Sequence, residues 1–292
     1  MTRLSAADLE GGLIPAVPVP FRGSTIDVAA QRAYASWMAR QPIAGVAVWA
    51  HTGRGPHLSD DQRRVVLEEW RAALPGKVIV AGAKGRAMAR DAKQGGADAL
   101  LAFPVRENAV VYHDELSQEL PVIAFYLYDA AGGVNYDDKT LHAILSLPNV
   151  LGLKVATLDS IMTFQRTAAV MCDHPDKLLI TGEDRFLGYS LMLGARAALI
   201  GMGAALTDVQ AALLRAHASG DDHAFLRLST QVDAFGQATF TAPMEGYIRR
   251  MLWALAAEGV IPDDACDDPW GPELPASERE TVRRAVREAR LR

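Results

Sequence analysis

The sequence NVLGLKVAT at residues 149–157 decides the fold: an apolar run carries a lysine near its end and a small-residue turn follows. A short run of this kind is typical of a parallel strand buried on both faces. Seven similar runs occur at residues 13–17, 44–49, 78–81, 99–103, 122–126, 178–181 and 197–200. Eight such runs, alternating with helical patterns at βα spacing, predict an α/β protein with a (β/α)8 TIM barrel. An open doubly wound sheet of eight strands is the alternative.

Beyond residue 205 the apolar runs stop and helical periodicity takes over. Helices are predicted at about 208–219, 221–235, 243–258 and 276–291, with a polar, proline-rich loop at 262–272. Within the barrel, the crossovers at 88–94 and 108–119 are close to the minimum length for parallel strands. We therefore expect a barrel over residues 1–206 and a C-terminal helical extension over residues 207–292, packed together as a single structural unit.

The composition narrows the class of protein. Of the 292 residues, 50% are hydrophobic and the formal net charge is −5, which argues against a nucleic-acid-binding protein. No uncharged apolar stretch approaches the ~18 residues that would span a bilayer, and the N-terminus lacks the apolar segment of a signal peptide. The two cysteines fit no metal spacing, and no HExxH, GxSxG, Walker or GxGxxG motif occurs. We expect a cytoplasmic enzyme with no metal, no cofactor and no membrane partner.

Lys154 is the first candidate for chemistry, because functional residues of such barrels lie at the C-terminal ends of strands. The other five of the six lysines lie in turns or among polar neighbours. Burial at a strand end lowers the pKa of a lysine and makes its neutral amine available to attack a carbonyl carbon. The alternatives are a lysine neutralised by a buried carboxylate and one that extends to solvent.

Four other strand ends carry candidate residues. Tyr126 ends an earlier apolar run, where its phenol could reach the Lys154 amine or the substrate and relay protons; the alternative is a core tyrosine with its hydroxyl at the rim. The second run continues into a loop whose hydroxyl and backbone N–H groups could hold a carboxylate, and the seventh and eighth runs end at small or apolar residues. The substrate-binding candidates are His51, Thr52, Gly53, Gly182 and Ile200. We expect Glu183 and Asp184 to form a salt-bridge network at the rim.

Taken together, residues 12–21, 51–53, Tyr126, 152–157 and 181–184 resemble the dihydrodipicolinate synthase and N-acetylneuraminate lyase family of class I aldolases. The resemblance runs from about residue 10 to the end of the chain. It implies that Lys154 forms a Schiff base with pyruvate, that Tyr126 relays protons, and that the loop at 51–53 binds the keto acid's carboxylate. It also implies a homo-oligomer, either a tetramer or a dimer.

The sequence departs from the family pattern at several positions of the site. His51 replaces a hydroxyl residue, Arg54 replaces an acid, and a proline–tyrosine–tyrosine segment becomes PVR at 104–106. Ala131 aligns with the arginine that the synthase uses for the distal carboxylate of its aldehyde. Genuine synthase activity is therefore not expected.

The predicted function is that of a carbon–carbon lyase acting on pyruvate or a longer 2-oxo acid, with a neutral or sugar-like aldehyde partner. In this interpretation His51 supplies a new acid or base close to the substrate. Two alternatives are a 2-keto-3-deoxy sugar acid dehydratase that uses the same imine, and a catalytically degenerate barrel that only binds a 2-oxo acid or a partner protein.

Overall fold

Eight parallel strands ring the centre of the computed structural model, which describes residues 4–158 and 160–291. The predicted barrel segment begins at residue 1 and the predicted C-terminal extension ends at residue 292. Residues 1–3 and residue 292 lie outside the described residues. The strands are β1 (Leu13–Pro15), β2 (Gly45–Val48), β3 (Val78–Ala83), β4 (Ala99–Ala102), β5 (Val122–Leu127), β6 (Val150–Ala156), β7 (Leu178–Thr181) and β8 (Ala197–Ile200). Each strand from β2 to β8 pairs with the next, β8 pairs with β1, and a parallel bridge between Ala16 and Ala47 joins β1 to β2. The predicted barrel is confirmed, and the open sheet is wrong.

Helices surround this barrel and continue into the C-terminal extension. They are α1 (Val28–Met38), α2 (Asp60–Ala73), α3 (Arg86–Gln94), α4 (Ala109–Ser117), α5 (Asp138–Leu145), α6 (Ile161–Cys172), α7 (Leu187–Met192), α8 (Thr207–Ser219), α9 (Asp222–Thr239), α10 (Tyr247–Ala257) and α11 (Ala276–Leu291). The two short crossovers are α3 and α4, as the sequence predicts. The third C-terminal helix begins four residues later than predicted, because Met244–Gly246 forms a separate 3-10 turn.

Several helices begin at residues whose side chains satisfy the free N–H groups of the first turn. Ser59 accepts a hydrogen bond from the Gln62 N–H, and the Gln62 side chain accepts one from the Ser59 N–H, which is a capping box. Asp137 caps α5 by accepting from the Thr140 N–H at 2.8 Å. These caps set where each strand-to-helix loop ends, and therefore how long the loops at the C-terminal ends of the strands are.

Side chains alternate along each strand between the barrel interior and the layer under the helices. On β5 the side chains of Ile123, Phe125 and Leu127 belong to the interior cluster. Those of Ala124 and Tyr126 belong to the outer cluster, which packs against the helices. Two buried apolar layers therefore lie on opposite faces of the same strands, as the near-continuous apolar runs predict.

The polar loop at 262–272 returns to the C-terminal end of the barrel. Phe21, in the hairpin formed by Phe21–Arg22 and Thr25–Ile26, bridges to Asp267 and packs edge-on against Trp270 with ring centroids 5.5 Å apart. The Gly23 N–H donates to the Asp267 carboxylate at 2.7 Å. The C-terminal extension therefore reaches the end of the barrel where the strands terminate, which we call the barrel mouth.

Across the part of the chain that the structure describes, no helix has the combined length and apolarity needed to cross a membrane.

Candidate active site

Lys154 lies on β6 with its side chain directed into the barrel and only 5% exposed. Its Nζ is 4.1 Å from the centroid of the Phe125 ring on the neighbouring strand. Within residues 4–158 and 160–291, the structure shows neither a hydrogen bond nor an ion pair to this amine. Burial lowers the pKa of Lys154 to about 8, although the charges of Asp184 and Glu183 act in the opposite direction. The amine is thus buried, unpaired and partly neutral near physiological pH.

Gly182, at the end of β7, leaves the space that this side chain occupies. A Cβ at residue 182 would lie 2.6 Å from Lys154 Cε, 2.8 Å from Ala156 Cβ and 2.9 Å from the Val155 carbonyl oxygen. Side-chain atoms do not approach one another so closely in folded proteins. Gly182 is therefore brought together with Lys154, and its role is to make room for the amine.

Glu183 and Asp184 are buried and bind backbone N–H groups. Glu183 accepts hydrogen bonds from the Thr157 N–H at 2.6 Å and from the Leu158 N–H at 2.8 Å, and Asp184 accepts from the Met202 N–H at 2.6 Å. Burial raises the pKa of each carboxyl to about 7. The expected rim salt-bridge network is wrong, because these carboxylates fix the loops after β6 and β8 through backbone N–H groups.

The Tyr126 phenol does not contact the Lys154 amine, and its predicted reach to the substrate stays a prediction. In the β5–β6 register, Phe125 pairs with Lys154 and Tyr126 pairs with Val155, so the tyrosine faces the outer layer. Its hydroxyl donates to Asn135 Oδ1 at 2.8 Å and accepts from Arg166 at 3.2 Å. The reason is strand alternation, since a shift of one residue along a strand turns a side chain to the opposite face. Phe125 stands beside the amine instead.

The loop after β2 packs against the barrel mouth through its small and hydroxyl-bearing residues. Thr52 is buried, and its Oγ1 lies 2.9 Å from the Tyr247 hydroxyl of α10. A Cβ at Gly201 would lie 3.0 Å from Thr52 Oγ1, and one at Gly53 would lie 2.9 Å from the Val17 carbonyl oxygen. The structure therefore places Thr52 and Gly53 against the ends of β8 and β1.

Ile200, the last residue of β8, was expected to contact substrate. Its side chain is fully buried in the outer cluster, with Ala198 of the same strand, while Ala197 and Leu199 face the barrel interior. Its carbonyl oxygen accepts a hydrogen bond from the Ala16 N–H, which closes the barrel between β8 and β1. The contact between Ile200 and substrate therefore stays a prediction, and the structure places its side chain on the face of β8 opposite Leu199.

The C-terminal extension supplies two carboxylates to the barrel mouth that the sequence did not reveal. Glu245 accepts hydrogen bonds from His51 Nε2 at 3.0 Å, Arg54 Nη1 at 3.0 Å and the Tyr128 hydroxyl at 2.8 Å. Asp268 holds the same arginine through two bonds, at 3.0 Å from Nε and 2.7 Å from Nη2. The only sequence signal at these positions is a break in helical periodicity near residue 243 and the polar loop at 262–272.

A cavity of about 460 Å³ opens between the loops after β5 and β6 and the connection from α9 to α10. Its lining includes Tyr126, Tyr128, Thr157 and Met244. This cavity provides room for a small organic molecule at the barrel mouth. A second cavity of about 530 Å³ lies between the loops after β4 and β5, and the exposed Arg106 belongs to it.

Comparisons with known proteins agree with this architecture. The model of the dihydrodipicolinate synthetase family matches residues 9–289. The chain is 25% identical over 279 residues to 4-hydroxy-tetrahydrodipicolinate synthase 2 of Clostridium acetobutylicum, covering 90% of this chain and 95% of that one. It is 26% identical over 256 residues to 4-hydroxy-tetrahydrodipicolinate synthase of Roseobacter denitrificans, covering 80% and 84% of the two chains.

Two solved structures show the same fold. N-acetylneuraminate lyase from Mycoplasma synoviae superposes with a TM-score of 0.79 at 21% identity, over 98% of this chain and 99% of that one. Dihydrodipicolinate synthase from Agrobacterium tumefaciens superposes with a TM-score of 0.82 at 22% identity, over 97% and 99%. Since the family model spans nearly the whole chain, this protein belongs to the dihydrodipicolinate synthetase family.

Proposed function

We propose that this chain is a class I lyase that forms a Schiff base between Lys154 and pyruvate or a longer 2-oxo acid. The observation that carries the proposal is the state of the Lys154 amine, which is buried, forms no bond to any described residue and has a pKa lowered to about 8. A lysine retained only for stability is normally paired or solvated. The family membership supports the same assignment.

The chemistry follows from the neutral amine. Nζ attacks the C2 carbonyl carbon, and loss of water gives a protonated imine. In a substrate with a hydroxyl group on C4, a base takes the hydroxyl proton while the imine accepts the electron pair of the C3–C4 bond. The bond breaks, the C4 oxygen becomes the carbonyl of the departing aldehyde, and an enamine remains on Lys154. Protonation of the enamine at C3 and hydrolysis release pyruvate and restore the amine. In the reverse direction the enamine attacks an aldehyde and forms the C3–C4 bond.

We further propose that the aldehyde partner is neutral or sugar-like. A distal carboxylate on the partner would need a free guanidinium, because bidentate pairing is the strong and directional way to hold it. Arg54 is already shared between Asp268 and Glu245, and Arg106 is exposed in a different cavity. Ala131 offers no charge at the aligned position. The Glu245 carboxylate also makes the barrel mouth less favourable for a second anion.

The test is trapping by borohydride in the presence of pyruvate, read by intact mass and by peptide mapping. We expect one reduced pyruvyl group per chain on Lys154 and none in Lys154→Ala. Lys77→Ala is the matched control, because burial also lowers the pKa of that lysine, whereas its Nζ donates to the Gln41 and Ile43 carbonyls. An adduct that persists in Lys154→Ala, or that is lost in the control, would contradict the proposal.

A further inference from the structure

The carboxylate of Glu245, in the C-terminal extension, binds three side chains of the barrel mouth. It lies in the 3-10 turn Met244–Gly246 between α9 and α10, whereas all three of its donors come from loops that follow barrel strands. His51 and Arg54 follow β2, and Tyr128 follows β5. The carboxyl side chain is about one-third exposed, so these bonds form at the edge of the solvent-accessible mouth.

The contact with His51 involves one ring nitrogen only. Nε2 lies 3.0 Å from both Glu245 oxygens, and within the described ranges Nδ1 has no hydrogen-bond partner. A carboxylate accepts and cannot donate, so the neutral ring carries its proton on Nε2 and its lone pair on Nδ1. The ring is held between Tyr128, at an edge-on angle, and Tyr247, nearly parallel, with centroids 6.2 Å away in each case. His51 is therefore fixed in orientation as well as in tautomer.

The charges around this pair leave Glu245 ionised. Burial opposes ionisation, yet the hydrogen bonds from His51 and Tyr128, with the charge of Arg54, lower the pKa of the Glu245 carboxyl. Arg54 donates only one of its three nitrogens to Glu245, because its other two nitrogens donate to Asp268. The remaining titratable group near the loop is His57, whose pKa is lowered mainly by burial and also by the charges of Arg54, Lys84 and His51.

Among the described residues, no proton-carrying side chain is hydrogen-bonded to the Lys154 amine; the buried carboxyls of Asp184 and Glu183 act on it through their charges and are bound to backbone N–H groups. The side chain in contact with Lys154 is Phe125, which can neither donate nor accept a proton, and the Tyr126 phenol is bonded on the other face of β5. Imine chemistry nevertheless requires proton transfer at C3 and at oxygen. His51 carries a basic nitrogen, Nδ1, without a hydrogen-bond partner among the described residues, and it lies on a loop at the barrel mouth.

We propose that Glu245 is a positioning residue that holds His51 with Nδ1 free to carry protons for the chemistry at Lys154. This inference rests on the proposed Schiff-base function. In the step assigned here, Nδ1 takes a proton from C3 of the pyruvyl imine, the C–H electron pair forms the C2=C3 bond, and the imine electrons move to Nζ. The imidazolium then releases the proton to solvent or to the oxygen of the aldehyde partner.

The first experiment reads the tautomer and needs no substrate. We expect ¹⁵N NMR of the free protein, at a pH where His51 is neutral, to show the proton on Nε2. Glu245→Gln should give a mixture of both tautomers. The control is Glu119→Gln, the same change at a carboxylate whose partners, among the residues that the structure describes, are Arg86, Arg90 and Lys93 on the helical surface. A wild-type ring protonated on Nδ1 would overturn the proposal.

The second experiment separates the role of Glu245 from imine formation itself. Pyruvate alone is incubated in D₂O, deuterium entry into its methyl group is followed by NMR, and borohydride trapping is run in parallel. We expect Glu245→Gln to keep the Lys154 adduct and to lower the exchange rate by about tenfold or more, since general acid–base groups contribute ~10²–10⁴-fold. Glu119→Gln should leave both readouts unchanged. His51→Gln repeats the test without altering the C-terminal extension.

The outcomes are distinguishable. Normal trapping with an unchanged exchange rate in both Glu245→Gln and His51→Gln would overturn the role of the pair alone. A wild-type protein that forms no adduct with pyruvate would overturn the proposed function, and with it the catalytic role of His51.

Discussion

Gly182 and Lys154 share one space inside the barrel, since a Cβ on residue 182 would lie 2.6 Å from Lys154 Cε. The Lys154 side chain could yield to an added methyl group, but the Val155 carbonyl at 2.9 Å belongs to the backbone of β6 and cannot move freely. We therefore predict that Gly182→Ala displaces the amine and slows borohydride-trapped adduct formation with pyruvate by about tenfold or more, equivalent to ~1.4 kcal/mol.

Gly76→Ala is the matched control for this change, because a Cβ there would have no atom within 4 Å. It should keep the wild-type rate of adduct formation. If Gly182→Ala kept that rate too, while remaining folded by circular dichroism, the close approach would have no functional consequence.

Burial of the charged Lys154 amine should also lower the free energy of unfolding. The pKa of Lys154 is lowered from 10.5 to about 8, so the folded state binds fewer protons than the unfolded state between those two values. Stability therefore rises with pH across this window, and the full cost of the buried charge is present below about pH 8. We predict that Lys154→Met raises the free energy of unfolding at pH 7 by about 1 to 3 kcal/mol, because each pKa unit is worth ~1.4 kcal/mol and solvent relaxation reduces the total.

Urea unfolding at pH 7 and at pH 10 measures this effect. The advantage of Lys154→Met should shrink at pH 10, where the amine is neutral in the folded state. A variant that is less stable than wild type at pH 7 would show that the carboxylates Asp184 and Glu183 more than offset the burial of the charge.

Tyr126 gives a third prediction, because its hydroxyl is bonded to Asn135 and Arg166 and not to the Lys154 amine. Tyr126→Phe removes the hydrogen bonds to Asn135 and from Arg166, each worth about 0.5–1.5 kcal/mol. We expect the free energy of unfolding to fall by about 1 to 2 kcal/mol while adduct formation with pyruvate changes less than about threefold. Rapid-quench trapping with borohydride measures the rate. A loss of about a hundredfold, the scale of general acid–base catalysis, would show that the phenol does reach the reacting atoms.

The sequence predicts the strands well, because eight apolar runs with short turns leave few other folds. It also places Lys154 near the C-terminal end of a strand, and in the structure β6 continues for two residues beyond it, to Ala156. It does not predict which of two adjacent aromatic residues faces the lysine. Phe125 and Tyr126 differ by one position, and the register that separates them depends on an irregularity near Val122 and Ile123 in the pairing of β5 with β6. Periodicity within one strand cannot reveal that irregularity.

The two carboxylates of the barrel mouth were hidden for a different reason. Glu245 lies 191 residues after Arg54 in sequence, and Asp268 lies 214 residues after it. Their approach depends on how α9 and α10 pack and on the bridge between Phe21 and Asp267. Local patterns mark these segments only as a helix break and a polar loop, so their contribution to the site follows from tertiary structure alone.

The last prediction concerns the choice of aldehyde partner, and it follows from the contacts of Arg54. Its guanidinium is bonded to Asp268 through two nitrogens and to Glu245 through the third, so all its nitrogens are occupied by carboxylates. A substrate carboxylate would have to displace one of them and leave that anion buried, which costs about 1–3 kcal/mol or more. We expect aspartate semialdehyde to be a poorer partner than a neutral aldehyde of similar length, by tenfold or more in kcat/KM, equivalent to ~1.4 kcal/mol.

The measurement is a competition between the two aldehydes with pyruvate as the donor. Ala131→Arg, which places a guanidinium where the synthase pattern has one, should narrow the difference. A wild-type preference for the semialdehyde would show that Arg54 exchanges its carboxylate partners for the substrate.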